Sequence, residues 1–308
     1  MNYAQKEPQY TQYMYNIGSF NPAYVGTVEN TEIALAYRSQ WLSVQGAPKT
    51  IRFGANLPFS GKNAGLGLNI VNDELGPTTQ TFIDIAYSYE INVSEVTKLS
   101  FGLDAGGALL NVDYSRGNFE DINEPLLLNI DQEISGFYPT IGAGLFLYSD
   151  NWYGGVSVPN FLTSLSNNND IINFLDDTIQ FNAIGGVVFD LSENLKFKPA
   201  FLLNYTDGLP LNVNLSTNFL INNIVTVGAS YRLDAAVSGL VGVQISKNMF
   251  FGYSYDYDTN ALGAFNNGSH EAILKFNLGV GESNSKNNRT KNHNSKKKPK
   301  QIDSPRFF

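Results

Sequence analysis

The sequence predicts an all-β protein: a transmembrane antiparallel β-barrel of about 14 strands, with an N-terminal periplasmic arm and a disordered basic C-terminal tail. Three observations predict it. The first is a two-residue period. Thr81, Ile83, Ile85, Tyr87, Tyr89, Ile91 and Val93 fall on one face, and Phe82, Asp84, Ala86, Ser88, Glu90 and Asn92 on the other. Alternation this long exceeds the usual strand of about five or six residues and fits a tilted strand of about 10 residues crossing a bilayer. The second is composition: aromatics are 13% but charged residues only 16%, against about 25% in soluble proteins. The third is that no stretch reaches the roughly 18 apolar residues a spanning helix needs. Strands that cross lipid must close on themselves, because lipid offers no partner to a free N–H or C=O.

The elements follow in chain order. Residues 1–30 have no clean period and read as a periplasmic arm or as a plug segment folded against or into the barrel mouth. Ala4 before Gln5 suits the end of a cleaved export signal. Fourteen strands are predicted in the barrel region 31–280: 31–40, 50–58, 64–73, 80–93, 97–112, 137–149, 151–159, 178–191, 194–205, 210–221, 223–233, 236–246, 248–258 and 269–279. On the second face of these strands stand Gly, Ser and Asn, as in Asn212, Asn214, Ser216 and Asn218, or Gly252 and Ser254. A soluble sandwich would put Lys and Glu there, whereas a crowded or watery lumen takes small polar groups. Connections largely alternate between short turns and long loops, the long ones being 41–49, 74–79, 113–136, 160–177 and 259–268, with 206–209 and 234–235 as intermediate exceptions. An even strand count places both termini on the short-turn side, the periplasm of an outer-membrane barrel. Tyr87, Tyr89, Tyr148, Trp152, Tyr153, Tyr253 and Tyr255 lie near strand ends and are expected to form interfacial girdles.

Charge is unevenly distributed. Residues 281–308 hold eight basic and two acidic residues, leaving 12 basic and 26 acidic residues in the remainder. The tail reads as a solvated periplasmic segment, or as a docking peptide for acidic partners with Arg306, Phe307 and Phe308 as anchors.

Three blocks stand out. Gln9-Tyr10-Thr11-Gln12-Tyr13 runs on to Asn21-Pro22-Ala23-Tyr24. Tyr37-Arg38-Ser39-Gln40-Trp41 leads to Gly46-Ala47-Pro48-Lys49-Thr50. Tyr253-Ser254-Tyr255-Asp256-Tyr257-Asp258 precedes Gly268-Ser269-His270-Glu271. Arg38 falls on the inward face, where Glu32 or Asp84 is its expected partner. Together these blocks resemble the PorP/SprF family of Bacteroidetes outer-membrane proteins, over about residues 5–280. The resemblance implies an export signal and a role in type IX secretion and gliding motility, without catalysis. It implies partners among other type IX components (translocon, periplasmic ring or lipoprotein), or a secreted surface adhesin with a type B C-terminal signal. Outer-membrane lipid surrounds such a barrel, and nucleic acid has no place in it. No cofactor is implied. The candidate partner-binding or motif residues are Asn21, Pro22, Tyr24, Arg38, Gln40, Trp41, Pro48, His270, Glu271, Arg306, Phe307 and Phe308.

Other chemistries fare worse. With no cysteine, disulfides and thiolate metal sites are excluded. His270 and Glu271 point to opposite faces of a strand, so they make no adjacent dyad, and His270 reads as a hydrogen-bonding loop residue. Asp256-x-Asp258-x-Asn260 has part of the spacing of a calcium loop but lacks its Gly and terminal Glu. The rival function is a diffusion porin, since fourteen strands lie between filled eight-stranded barrels and open 16–18-stranded channels.

Overall fold

The computed structural model describes residues 9–113, 134–163 and 179–279. The strands are β1 Thr31–Ser39, β2 Lys49–Pro58, β3 Ala64–Leu75, β4 Thr78–Asn92, β5 Lys98–Val112, β6 Ile134–Tyr148, β7 Trp152–Thr163, β8 Gln180–Val187, β9 Phe189–Ser192, β10 Leu195–Thr206, β11 Asn212–Ile221, β12 Val225–Arg232, β13 Ala236–Ser246, β14 Met249–Asp258 and β15 Ser269–Leu278. β8 and β9 both pair with β10, so they are one stave interrupted at Val188. The barrel therefore has the fourteen staves expected. Each pairs antiparallel with the next, and β15 returns to β1 in register from Thr31↔Leu278 to Ser39↔His270. That last pairing closes the cylinder and leaves no sheet edge for lipid to desolvate. No helix among the described residues is long and apolar enough to cross a membrane.

The period-two pattern maps onto the wall directly. Ile83, Ile85, Tyr87, Tyr89 and Ile91 are exposed outward, while Ala86, Ser88 and Glu90 are buried inward. Val237, Val241, Tyr255 and Tyr257 likewise face out, and Ser238, Ser254 and Asp256 face in. Leu103 at 61% and Ile85 at 59% exposure are far too open for the core of a soluble sheet. They are the lipid-facing surface of a membrane barrel.

Three expectations need correction. The connection 74–79 is not a long loop. β3 and β4 stay paired to Leu75↔Thr78, and the reversal uses only Gly76 and Pro77. Gly76 at φ +56° supplies the left-handed backbone this tight turn requires. Tyr148 and Tyr153 are not girdle residues, because strand parity points both inward at 3% exposure. There they pack with Phe146, whose ring stacks on Tyr153 at 5.7 Å. His270 lies on β15, not in a loop.

The apolar core lies inside the cylinder. It consists of Tyr10, Tyr13, Met14, Tyr15, Ile17, Phe20, Ala23 and Tyr24 packed against wall residues such as Phe146, Ile184, Leu202, Leu240 and Ile273. The N-terminal segment thus occupies the lumen. It is built from three single-turn 3-10 helices, Tyr13–Tyr15, Ile17–Ser19 and Pro22–Tyr24.

Candidate functional site: the seat of the luminal segment

Two sets of contacts hold this segment. The first is polar and lies near the long-loop ends of β1, β14 and β15. Arg38 stands directly opposite Glu271 in the β1–β15 register. Its guanidinium donates to Asp256 at 2.7 Å and to Glu271 at 3.0 Å. The luminal chain completes the cluster. The Thr11 N–H donates to Glu271 Oε2 at 2.8 Å and the Gln12 N–H to Oε1 at 3.0 Å. The Thr11 hydroxyl donates to Asp256 at 2.7 Å and accepts from Arg38 at 3.1 Å and Arg232 at 3.3 Å. Arg232 is itself fixed by Asn214 at 2.9 Å. Arg38, Asp256, Glu271 and Thr11 are each no more than 2% exposed. A buried ion pair is weak evidence for stability, but removing one partner leaves an uncompensated charge. Here the wall charges and the Thr11–Gln12 backbone satisfy one another, so the segment is part of the electrostatic solution.

The expected partners of Arg38 were wrong for a geometric reason. Glu32 is six residues away along β1, about 20 Å at 3.3 Å per residue. It pairs instead with Lys275 at 2.9 Å and accepts from Asn56 at 3.1 Å. Asp84 sits on β4, three strands along the wall from β1, and accepts from Thr140. The acids within reach of Arg38 come from β15, which closure sets beside β1, and from β14, the next strand in the circle.

The second set is steric. Asn21 caps the last 3-10 turn, its Oδ1 accepting the Ala23 N–H at 2.9 Å with Pro22 at the first position. Its Nδ2 donates to the carbonyls of Leu145 and Val156 at 2.9 and 3.2 Å. This amide approaches the wall where Gly144 and Gly155 leave room. A Cβ on Gly102 would meet the backbone of Pro22 and Ala23. The Phe20 carbonyl accepts from the Ser157 hydroxyl, and the Gly26 N–H donates to Ser88 Oγ at 2.8 Å. Tyr24 meets Phe146 edge-on at 5.7 Å. Gly102, Gly144 and Gly155 are thus the places where the wall lets the luminal segment approach closely.

The other sequence-selected residues lie at the long-loop end. Gln40 is buried and its N–H donates to the Pro48 carbonyl at 2.9 Å. The Trp41 N–H donates to Ser269 Oγ at 3.2 Å. The Leu42 N–H donates to the Gly268 carbonyl, the Asn267 N–H to the Leu42 carbonyl, and the Gly76 N–H to the Gly46 carbonyl. The first loop is thereby clasped on both sides. His270 points outward, its Nδ1 paired with the Tyr253 hydroxyl and its ring 5.1 Å from that of Tyr255. Glu271, its neighbour, points inward.

The calcium-like spacing does not converge. Asp256 is held by Arg38, Asp258 accepts from Asn266 at 2.9 Å, and Asn260 caps a 3-10 turn through the Leu262 N–H. Arg306, Phe307 and Phe308 lie outside the described residues, as do 114–133 and 164–178 of the two longest loops.

Sequence reasoning missed Thr11 and Arg232. A signal existed: inward-facing Arg38, Arg52 and Arg232 on polar strands demand acids or a luminal partner. What the geometry adds is convergence. Gln9–Tyr13, Tyr37–Trp41 and Gly268–Glu271 are far apart in sequence and meet around one charge cluster.

Fold and site together define a class: a fourteen-stranded outer-membrane β-barrel whose lumen is filled by its own N-terminal segment. The chain belongs to the PorP/SprF family of type IX secretion system membrane proteins, whose family model matches residues 2–276. No curated protein matches it. Among solved structures, it is similar to the outer-membrane protein Omp33 of Acinetobacter baumannii, with a TM-score of 0.46 and 10% identity over 81% of this chain and 98% of that one. It is also similar to the toluene transporter TodX of Pseudomonas putida, with a TM-score of 0.47 and 10% identity over 83% of this chain and 91% of that one. The chain is an outer-membrane component of type IX secretion.

Proposed function

We propose that the protein is a non-enzymatic platform of the type IX secretion and gliding machinery, serving the secretion or surface anchoring of a partner protein. The observation that carries this reading is the filled lumen. A barrel whose interior is packed with Tyr13, Met14, Ile17 and Tyr24 works through its two rims, not through a water path. The long-loop rim faces the cell exterior, and the short-turn edge, where the chain enters β1 and leaves β15, faces the periplasm. There the basic tail, with Arg306, Phe307 and Phe308, meets periplasmic or lipoprotein components.

At the outer rim, Leu42, Val44, Leu262 and Phe265 are exposed, Phe265 at 78%. They sit on loops braced to one another, and Trp41 and Ser43 hold left-handed backbone there (φ 46° and 76°). Rigid exposed apolar side chains at a rim suit a protein partner, here a surface protein with a type B C-terminal signal.

The double variant Leu262→Ser/Phe265→Ser is expected to leave barrel stability unchanged and to reduce recovery of the secreted partner about tenfold in mild-detergent co-purification from the native host. Unchanged recovery together with unchanged adhesin display in a deletion strain counts against the platform. The porin alternative is tested by planar-bilayer conductance of the purified chain: steady open pores support the porin, and a silent barrel supports the platform.

A further inference from the structure

A second site lies in the lumen, away from the Arg38 cluster. A cavity of about 120 Å³ separates the luminal segment from the wall of β2 to β7, with Phe20 and Val25 on one side and Val71 and Phe82 on the other. One water needs only about 10–15 Å³ on this measure, so the space suits a solute of several heavy atoms.

The wall here is built on one cross-strand row. Gly54, Asn69, Asp84, Gly106 and Thr140 lie opposite one another on β2, β3, β4, β5 and β6. The Arg52 guanidinium folds over Gly54 and its Nε donates to Asn69 Oδ1 at 2.8 Å. Thr140 donates to Asp84 at 3.3 Å. Asp104 lies diagonally beside Asp84, and both carboxylates lie where Gly106 and Gly142 have no side chain: a Cβ on either glycine would run into Asp84 or Asp104.

An arginine and an aspartate lining this cavity are left incomplete. Arg52 is 3% exposed, yet its Nη1 has no hydrogen-bond partner. Asp104 Oδ1 has none either. Among the described residues, neither Arg52, Asp84 nor Asp104 belongs to an ion pair. Arg52 is buried and Asp84 and Asp104 are half-buried, and leaving such groups unsatisfied is costly. β2 and β5 are three strand spacings apart, about 14 Å along the wall at about 4.8 Å each. Along the strands, Arg52 shares the row of Ala108 on β5, four residues from Asp104, and its guanidinium folds back over Gly54 toward the row of Gly106, two residues from Asp104.

We propose that this cavity binds a small zwitterion whose ammonium and carboxylate are separated by a short apolar spacer. The carboxylate meets the free Nη1 of Arg52. The ammonium meets Asp104, Asp84 and the Pro159 carbonyl, which lies beside Asp104 across Gly142. The spacer rests between Phe20, Val25 and Phe82. Bound there, the solute bridges luminal segment and wall.

The test uses the full chain purified in detergent, with 4-aminobutanoate as the probe and butanoate and butylamine as single-charge controls. Calorimetry is expected to show one site for 4-aminobutanoate, about tenfold or more tighter than for either control. Asp104→Asn and Arg52→Gln are each expected to weaken the probe by about tenfold or more. Heat-dependent gel mobility checks that both variants remain folded barrels, and the comparison among the three solutes on the unaltered chain needs no variant. Absence of binding, meaning a cavity filled by water only, overturns the proposal. So does butylamine or butanoate binding as tightly as the zwitterion. Because the readout is solute binding, it is independent of the secretion role.

Discussion

Arg38→Ala is expected to release the luminal segment while leaving the barrel inserted. The substitution strips Asp256 and Glu271 of the guanidinium 2.7 and 3.0 Å away and leaves two carboxylates in a buried site. Arg232, 3.9 Å from Asp256, compensates only one of them. Breaking a buried pair this way costs about 3–5 kcal/mol. The barrel has another way to recover that energy: the Thr11–Gln12 backbone leaves, water enters, and the carboxylates are hydrated. The cost therefore falls on the segment. Limited proteolysis of the folded barrel is expected to cut within residues 9–28 of the variant but not of the parent, and bilayer recordings to gain conductance. Arg38→Lys is expected to behave in an intermediate way, since one ammonium cannot fork between two carboxylates as a guanidinium does. If Arg38→Ala retains a protected segment and a silent barrel, the charge cluster is not what seats it.

Gly102→Val tests the steric half of the seat. Its Cβ would enter the backbone of Pro22 and Ala23, and a backbone held by the Asn21 cap and two carbonyl contacts cannot shift by a side-chain rotation. Overpacking of this kind costs typically about 1–3 kcal/mol and more where backbone is opposed. Unlike Arg38→Ala it leaves the charge cluster intact, so the expected result is partial. Residues near Asn21 become accessible to protease while Thr11 stays protected. Gly154→Ala, on the outward strand face where a Cβ meets nothing within 4 Å, is the control and is expected to behave like the parent. Equal behaviour of Gly102→Val and Gly154→Ala would refute the tight fit between segment and β5.

The apolar core of the molecule depends on this seating. Without residues 9–28 the inward face offers mainly Ser, Asn, Gly and charged groups. Phe146, Tyr148 and Tyr153 are aromatic exceptions that gather where Tyr24 docks, and Phe250 is another, packed against Tyr15. The barrel wall is stabilised by backbone pairing and lipid contact, and the luminal packing is supplied by a segment that makes no strand.

How much of this was legible beforehand divides cleanly by residue. Ile83 to Ile91 alternating with Asp84 to Glu90 fixes strand, face and membrane exposure, because side-chain period and strand geometry are the same quantity. Fourteen staves and their approximate ends follow from repeating that reading. The connection 74–79 reads as a loop because Glu74, Gly76, Pro77 and the two threonines lack an alternating apolar face, yet Glu74↔Thr79 and Leu75↔Thr78 remain paired across the ladder. The inward burial of Tyr148 and Tyr153 was missed because parity near a strand end needs the register, which only the neighbouring strand supplies.

What the sequence determined by itself is therefore local and periodic: a closed sheet, its greasy exterior and its inward charges. Which inward charges meet was decided by the tertiary structure alone. Arg38 finds Glu271 because closure sets β1 against β15, and it finds Asp256 because β14 lies next in the circle. Thr11 joins them because an aperiodic segment folds where the wall leaves space. Those contacts span more than two hundred residues of chain, and no repeat within the sequence encodes a distance of that kind.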